Sequence, residues 1–200
     1  GAPDGSVGLA YLTSITDSAI HLSYEAVEEA APLRPIHVLI GTVRPIQAAR
    51  IVKELTVLGV SSIIFHPTEL GEKSYTQSNF YRKQEYIRPA LEGAAQAGNP
   101  RLPSIRLVWS FAKAIACLED IDADRFFCHL HDDALPLGKV PLQHSAAILS
   151  IGTERGWTEQ EAETAKRHGF QFCLLGDRIL KTETAAVAAV SAMLARKGFL

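Results

Sequence analysis

The regular alternation of short apolar segments with helical segments constrains the fold of this chain more than any other feature. Apolar segments typical of buried strands recur from residue 36 onward, and helical spacing follows most of them. The predicted strands are 36–40, 60–65, 106–109, 125–130, 146–151 and 170–175. Such alternation favours an α/β fold with a mostly parallel sheet.

Local signals predict where the helices between these strands begin and end. Pro45 suits the first turn of a helix whose apolar residues recur as far as Leu58, and Gly59 can end it. The segment 78–98 predicts a long helix capped by its first residue, a serine, with a kink or break at Pro89.

Two further helices are predicted in the last quarter of the chain. Thr158 and Glu161 have the spacing of a capping box, in which hydroxyl and carboxylate satisfy free N–H groups. The Ala-rich segment 184–196 predicts a closing helix, for which Thr182 or Thr184 can provide the cap.

The N-terminal part has a different pattern. Residues 9–15 and 19–24 predict two short strands of a hairpin, and the acidic segment 25–35 with its two prolines predicts a linker. Two strands alone are marginal in water, so this pair must pack on something or belong to a larger β unit. We therefore predict a β segment and linker over 1–33 and an α/β domain over 34–200.

Charge and cysteine content exclude some classes of protein. Lys and Arg number 20 against 22 Asp and Glu, a formal net charge of -2. This excludes a strongly basic, tail-type nucleic-acid binder but not a local basic face. The three cysteines form no CxxC pair, which disfavours a disulfide framework and favours a reducing cytoplasm. No apolar run approaches the roughly 20 residues of a membrane span.

Two loops between a predicted strand and the following helix contain the candidate binding residues. Residues 151–158 read Ile-Gly-Thr-Glu-Arg-Gly-Trp-Thr, and residues 174–185 read Leu-Leu-Gly-Asp-Arg-Ile-Leu-Lys-Thr-Glu-Thr-Ala. Glycines let backbone approach a ligand, and a helix start presents free N–H groups. On these grounds alone the favoured interpretation of the first loop is an ordinary strand-to-helix turn, because two glycines at this spacing are a weak signal. The apolar residues of the second loop could line a ligand cleft or plug the core.

Together the two loops resemble the SPOUT-class RNA methyltransferases, specifically the bacterial family that methylates nitrogen 3 of a uridine in 16S ribosomal RNA. The family pattern reads Ile-Gly-Pro-Glu-Gly-Gly-Phe-Ser-x-x-Glu, then Leu-Gly-x-Arg-Ile-Leu-Arg-x-Glu-Thr-Ala. The matching residues are Gly152, Glu154, Gly156, Trp157, Thr158, Glu161, Leu175, Gly176, Arg178, Ile179, Leu180, Glu183, Thr184 and Ala185. A weaker resemblance extends the match to about residues 34–196.

This resemblance implies a trefoil-knotted domain that binds S-adenosylmethionine and acts as a homodimer on ribosomal RNA or the small ribosomal subunit. It also implies a preceding PUA-like β-barrel. Residues 9–24 resemble only the last strands of that barrel, and the missing initiator Met agrees with a truncated barrel. The implied cofactor-binding residues are Leu130, Ile151, Gly152, Gly156, Leu175, Gly176, Ile179, Leu180, Thr184 and Ala185.

The implied reaction indicates which side chains are candidates for catalysis. A uridine N–H must lose its proton while a methyl group leaves a sulfonium, so positioning and a positive group near the developing anion help most. Arg178 is the candidate for that positive group. Glu154 or Glu183 could orient groups or accept the proton, although such carboxylates also serve as helix caps and ion-pair partners.

Basic residues interleaved with tyrosines and a phenylalanine are concentrated in residues 44–106. This pattern fits an RNA face that uses phosphate contacts and stacking, and it equally fits a solvated helix with its aromatics in the core. The resemblance favours RNA. The candidate RNA-binding residues are Arg44, Lys53, Arg82, Lys83, Arg101, Arg155 and Lys181.

The chain departs from the family pattern at three positions in the loops. The family's Pro is Thr153, the first Gly of its pair is Arg155, and the last Arg is Lys181. A side chain at position 155 would obstruct the loop if the backbone there needs a positive φ, or it could point outward to phosphate. The alternative function is therefore a catalytically weakened knot protein that acts as an RNA-binding or ribosome-assembly factor.

The segment Cys128-His129-Leu130-His131-Asp132-Asp133 suggests a metal site at first sight. Strand alternation places the two histidines on one face, but spacing places no third ligand beside them. The resemblance places this segment at the rim of the cofactor pocket. We therefore expect no metal.

Overall fold

A parallel sheet forms the centre of the molecule, which a computed structural model describes over residues 5–131 and 134–200. The strands in these ranges are β1 (Ser6–Ile15), β2 (Ile20–Glu29), β3 (Arg34–Gly41), β4 (Val60–His66), β5 (Ser104–Leu107), β6 (Ala123–Cys128), β7 (Leu135–Pro136), β8 (Ala146–Ile151) and β9 (Gln171–Leu174). Seven of them form one sheet in the order β5-β4-β3-β8-β6-β9-β7, and all neighbours are parallel. The predicted α/β class with a mostly parallel sheet is confirmed.

Helices follow strands β3, β4, β5, β8 and β9 of the main sheet. They are α1 (Pro45–Val57), α2 (Asn79–Arg82), α3 (Ile87–Ala97), α4 (Phe111–Ala116), α5 (Glu159–Arg167) and α6 (Thr182–Arg196), with a 3-10 helix over Lys73–Gln77. The predicted Pro45 start and the predicted capping box are both present. Within the described ranges, no helix combines the length and apolar character that a membrane span requires.

The central strands of the sheet are buried on both faces, which explains why β3, β4 and β8 are rich in apolar residues. Val38 of β3 faces a cluster that includes Leu55 of α1 and Met193 of α6. The next residue, Leu39, points to the opposite face and joins a cluster with Phe111 of α4 and neighbouring aromatic residues. The sheet therefore separates two hydrophobic cores.

The structure corrects the predicted helix over 78–98. This segment contains two helices, and residues 83–86 separate them rather than Pro89. Gln84 at this break has φ of 56°, and it is the only non-glycine with positive φ among the described residues. Pro89 lies in the first turn of α3, where its missing N–H removes no helical hydrogen bond.

The predicted linker over 25–35 is also too long. β2 continues through its acidic end, where Glu28 and Glu29 pair with Val7 and Ser6, and β3 already begins at Arg34. Only residues 30–33 connect the hairpin to the main sheet. The acidic composition suggested a loop, but the strand pairing of the hairpin continues through it.

The hairpin of β1 and β2 forms a separate two-stranded sheet. Asn99 and Arg101 hold its base: Asn99 Nδ2 donates to Ala31 O at 2.9 Å, and Arg101 Nε donates to Ala30 O at 3.0 Å. The Arg101 guanidinium also lies 3.4 Å from the Glu29 carboxylate. Large apolar side chains of the hairpin are exposed, namely Leu9, Tyr11, Leu12, Ile15, Ile20, Leu22, Tyr24 and Val27.

A buried ion pair fixes the end of α6. Lys197 Nζ donates to Asp124 Oδ2 at 3.0 Å and to His144 O at 2.7 Å, and both charged side chains are only 6% exposed. The backbone N–H of Gln143 donates to Asp124 Oδ1 at 2.9 Å. Burial alone would raise the pKa of Asp124, but these N–H donors and the ammonium outweigh it and hold that pKa below its usual value.

Candidate functional site

A cavity of about 340 Å³ lies where the chain leaves the carboxyl ends of β6, β8 and β9. Open α/β sheets bind ligands at this edge. Both loops singled out in the sequence line it, and so do the predicted catalytic residues Glu154 and Arg178 and the predicted RNA contact Arg155. The predicted cofactor-binding residues in its wall are Leu130, Ile151, Gly152, Gly156, Leu175, Gly176, Ile179, Leu180 and Ala185.

Thr184, Glu183 and Lys181 do not line this cavity, although all three were among the predicted site residues. α6 begins at Thr182, earlier than predicted, and Thr184 on its surface is exposed. Thr182 lines the cavity instead. Its hydroxyl donates to the Gly152 carbonyl at 3.2 Å and so ties the two loops together, whereas neither predicted threonine caps the helix.

Trp157 forms a rigid part of the wall that the sequence did not predict as a site residue. Its Nε1 donates to Cys128 O at 3.2 Å. The centroid of its ring lies 4.5 Å from the Phe127 ring centroid and 5.8 Å from that of His66. A Cβ on Gly152 would lie 2.9 Å from Trp157 Nε1. The glycine is therefore required for the close approach of the backbone to the indole. Only the match of Trp157 to the family motif signalled this residue.

The turn after β8 tolerates the departures from the family pattern. Gly156 has φ of 72° and its N–H donates to Thr153 O at 2.9 Å, so this glycine is the one that the turn requires. Arg155 is not among the positive-φ residues, which removes the predicted backbone obstruction. Thr153 is buried, with Oγ1 3.4 Å from Thr68 Oγ1.

His66 supports the wall from behind. It is fully buried between Trp157 and Phe111, and its Nδ1 lies 3.1 Å from Pro67 O. Burial lowers the pKa of His66 to about 4, so the ring is neutral at pH 7 and donates from Nδ1. Its Nε2 is buried without a hydrogen-bond partner among the described residues.

Two thiols lie side by side in the wall. Cys128 and Cys173 are register partners on β6 and β9, and their Sγ atoms are 3.6 Å apart. The neighbouring thiol and burial raise the pKa of Cys128 well above its usual value, so it is uncharged at pH 7. No group of three potential metal ligands occurs in the described ranges, and Asp132 and Asp133 lie outside them.

The two predicted acids are joined by a residue that the sequence analysis missed. Gln47, in the first turn of α1, donates from Nε2 to Glu154 Oε1 at 3.0 Å and to Glu183 Oε2 at 3.4 Å. Arg178 is exposed and makes no hydrogen bond or ion pair within the described part of the chain. Its guanidinium is therefore available to a ligand.

The predicted RNA-binding residues have diverse environments. Arg44 Nε donates to the Tyr75 hydroxyl at 3.0 Å, and Lys53 pairs with Glu92 at 3.5 Å on the surface. Arg82 and Lys83 are exposed, whereas Arg101 holds the base of the hairpin. The aromatics Phe80, Tyr81 and Tyr86 are buried, so for these residues the interpretation as core aromatics is the one that holds.

Comparison with known proteins identifies the family. Residues 29–194 match the model of the RNA methyltransferase domain. The chain is 34% identical to Ribosomal RNA small subunit methyltransferase E of Treponema pallidum, over 98% of this chain and 75% of that protein. The chain belongs to the ribosomal RNA small subunit methyltransferase E family. Its relative in Borreliella burgdorferi is 32% identical over 82% of this chain and 68% of that protein.

Solved structures share the fold of this chain. The family member from Neisseria gonorrhoeae, bound to S-adenosyl methionine, superposes with a TM-score of 0.80 at 24% identity, over 96% of this chain and 79% of that one. A putative methyltransferase from Legionella pneumophila, also with the bound cofactor, gives 0.79 at 22% identity, over 97% and 80%. The resemblance seen in the sequence is thus confirmed at the level of the family and of the fold.

Proposed function

We propose that this chain transfers a methyl group from S-adenosylmethionine to nitrogen 3 of a uridine in 16S ribosomal RNA. The observation that carries the proposal is that both loops line the same cavity, with Glu154 and Arg178 in its wall. The two solved structures with bound S-adenosylmethionine support the same cofactor for this chain.

The residues of the cavity fit this cofactor. Its volume of about 340 Å³ is within the usual range for small-molecule sites. Leu130 and Ile179 in its wall are 64% and 89% exposed, and they provide apolar surface for an adenine ring. Gly152 lies in the cavity wall, and its missing side chain lets the main chain pack directly against the Trp157 indole of the same wall.

The chemistry divides between the cofactor and the protein. S-adenosylmethionine supplies a methyl group on a sulfonium. Arg178 stabilises the negative charge that develops on the uracil ring when nitrogen 3 loses its proton. Glu154 accepts that proton, since it lines the cavity whereas Glu183 does not. Glu183 orients Glu154 through their shared partner Gln47.

We also propose how the chain meets its substrate. Arg155 lies in the cavity wall and contacts phosphate near the target, while Arg44, Arg82 and Lys83 provide further cations. The chain works in the cytoplasm as a homodimer with a trefoil knot, on the small ribosomal subunit. The exposed apolar residues of the hairpin favour its membership in a PUA-like barrel, because two strands alone are marginal in water.

The experiment is methyl transfer from labelled S-adenosylmethionine to small ribosomal subunits and to free 16S RNA, with nucleoside mass spectrometry of the product. We expect N3-methyluridine from the wild type and a kcat lower by about 10²-fold for Arg178→Ala. Arg88→Ala is the matched control, since Arg88 is a surface residue paired with Glu92. Methylation of another atom, or none on either substrate, would contradict the proposal.

A further inference from the structure

Gln47 connects three segments that are far apart in the sequence. It lies in the first turn of α1, and its Nε2 donates to Glu154 in the loop after β8 and to Glu183 in the first turn of α6. The two acceptors belong to the two loop motifs of the family. One amide group therefore joins α1 to the loop after β8 and to the first turn of α6.

The other end of the same amide is unsatisfied. Gln47 Oε1 is buried and has no hydrogen-bond partner among the described residues. A buried polar atom without a partner is costly and rare in folded proteins, so each instance calls for an explanation. Flipping the amide would not help, because Oε1 would then face two carboxylate oxygens. The observed orientation gives both N–H groups of Nε2 an acceptor and leaves the oxygen without a donor.

The position of Nε2 matters because its two acceptors carry the same charge. The Glu154 and Glu183 oxygens lie within hydrogen-bond distance of one nitrogen, and like charges at such separations repel each other. Hydrogen bonds to charged groups are stronger than those between neutral groups. Without the shared donor, we expect the carboxylates to separate and the loop 152–157 to move away from α6.

We propose that Gln47 is a positioning residue for methyl transfer: it holds Glu154 and Glu183 together and thereby sets the shape of the S-adenosylmethionine cavity. Gln47 does not line the cavity, so it acts through the carboxylates and not by touching the cofactor. This inference rests on the proposed function for its kinetic consequence, but its structural consequence can be measured without any substrate.

The first test is hydrogen exchange of the free protein, followed by mass spectrometry. We expect Gln47→Met, which removes the donor but keeps the side-chain length, to speed exchange about tenfold in residues 152–157 and 181–185. Gln96→Met is the matched control, since Gln96 is an exposed glutamine on α3. Unchanged exchange in both segments of Gln47→Met would overturn the proposal whether or not the chain methylates RNA.

The second test is a double-mutant cycle on S-adenosylmethionine affinity, measured by calorimetry. We expect Gln47→Met to weaken binding about tenfold and Gln47→Glu, which adds a third carboxylate, to weaken it further. In a Glu154→Met background the same Gln47→Met change should alter the affinity less than about twofold. An equal loss in both backgrounds would show that Gln47 acts independently of Glu154, and that outcome would refute the mechanism.

Measurements of methyl transfer distinguish the proposed function from the proposed positioning role of Gln47. With small ribosomal subunits as substrate, we expect Gln47→Met to lower kcat while the KM for the subunit stays within about twofold, because the substitution removes no basic side chain. A wild-type protein that fails to methylate would count against the proposed function alone. A Gln47→Met variant with the same kcat as the wild type would count against the positioning role alone.

Discussion

Replacement of Lys197 by Met tests how α6 is held in place. Lys197 follows α6 directly and places its ammonium on Asp124 and on the His144 carbonyl, in a site where both charged side chains are nearly inaccessible to water. The Met side chain fills similar space without charge. Asp124 then stays buried with only backbone donors, chiefly the N–H of Gln143.

The size of the effect follows from this arrangement. Removing one partner of a buried ion pair costs about 3–5 kcal/mol, because the other charge is left uncompensated. The remaining N–H donors keep Asp124 partly stabilised, which places the expected loss near the lower limit, at about 3 kcal/mol. For a chain of this size the melting temperature should fall by about 6–12 °C.

The assay is urea unfolding at pH 7, with Lys139→Met as the control, since Lys139 is exposed. The pKa of Asp124 is lower in the folded protein than the unfolded value near 3.8. The stabilisation of the folded state by the ionised Asp124 is therefore present above pH 3.8 and is lost as the pH falls through the lower folded pKa. The stabilities of the two proteins should therefore begin to converge as the pH falls below about 4. A loss under about 1 kcal/mol at pH 7 would refute the reasoning.

Three other predictions concern the cavity wall and the hairpin. Gly152→Ala brings a Cβ to 2.9 Å from Trp157 Nε1. It should lower the free energy of unfolding in urea by about 1–3 kcal/mol and weaken S-adenosylmethionine binding. Gly138→Ala is the control, since the space around Gly138 is open, and it should change neither quantity. His66 has a pKa of about 4, below its unfolded value of 6.5, so the wild type should lose about 2 kcal/mol between pH 7 and pH 5. His66→Phe should show a flatter profile, and parallel profiles would contradict the assignment. Arg101→Ala should speed proteolysis at residues 30–33 without lowering the melting temperature of the protein, and unchanged proteolysis would argue against the anchoring role.

The sequence predicted the fold well where residues close together in the sequence determine an element. The strand 146–151 was predicted to its observed limits, because a short segment that is apolar except for Ser150 fits a strand buried on both faces. The capping box at Thr158 depends on contacts three residues apart and was confirmed. The break between α2 and α3 was missed, since neither Gly nor Pro marks it, and Gln84 adopts a conformation that its sequence context does not reveal.

The candidate site was predictable as far as the motif residues that line the cavity. The sequence could not predict residues that reach the cavity only through tertiary packing. Gln47 is separated from Glu183 by 136 positions, and only the folding of α1 against α6 brings them together. The Cys128–Cys173 pair likewise depends on the register of two parallel strands that are 45 positions apart. Thr184 was predicted from the motif, but the helix phase turns it to the surface.

The placement of the two tryptophans gives this protein a built-in optical reporter. Trp157 is 7% exposed in the cavity wall, whereas Trp109 is 74% exposed, with the Lys113 ammonium 5.3 Å from its ring centroid. The sequence contains no other tryptophan. The Trp109→Phe variant would therefore fluoresce from a single indole beside the cavity, with emission at the short wavelengths of a buried ring. Ligand titrations could then be followed by emission intensity alone, without any label.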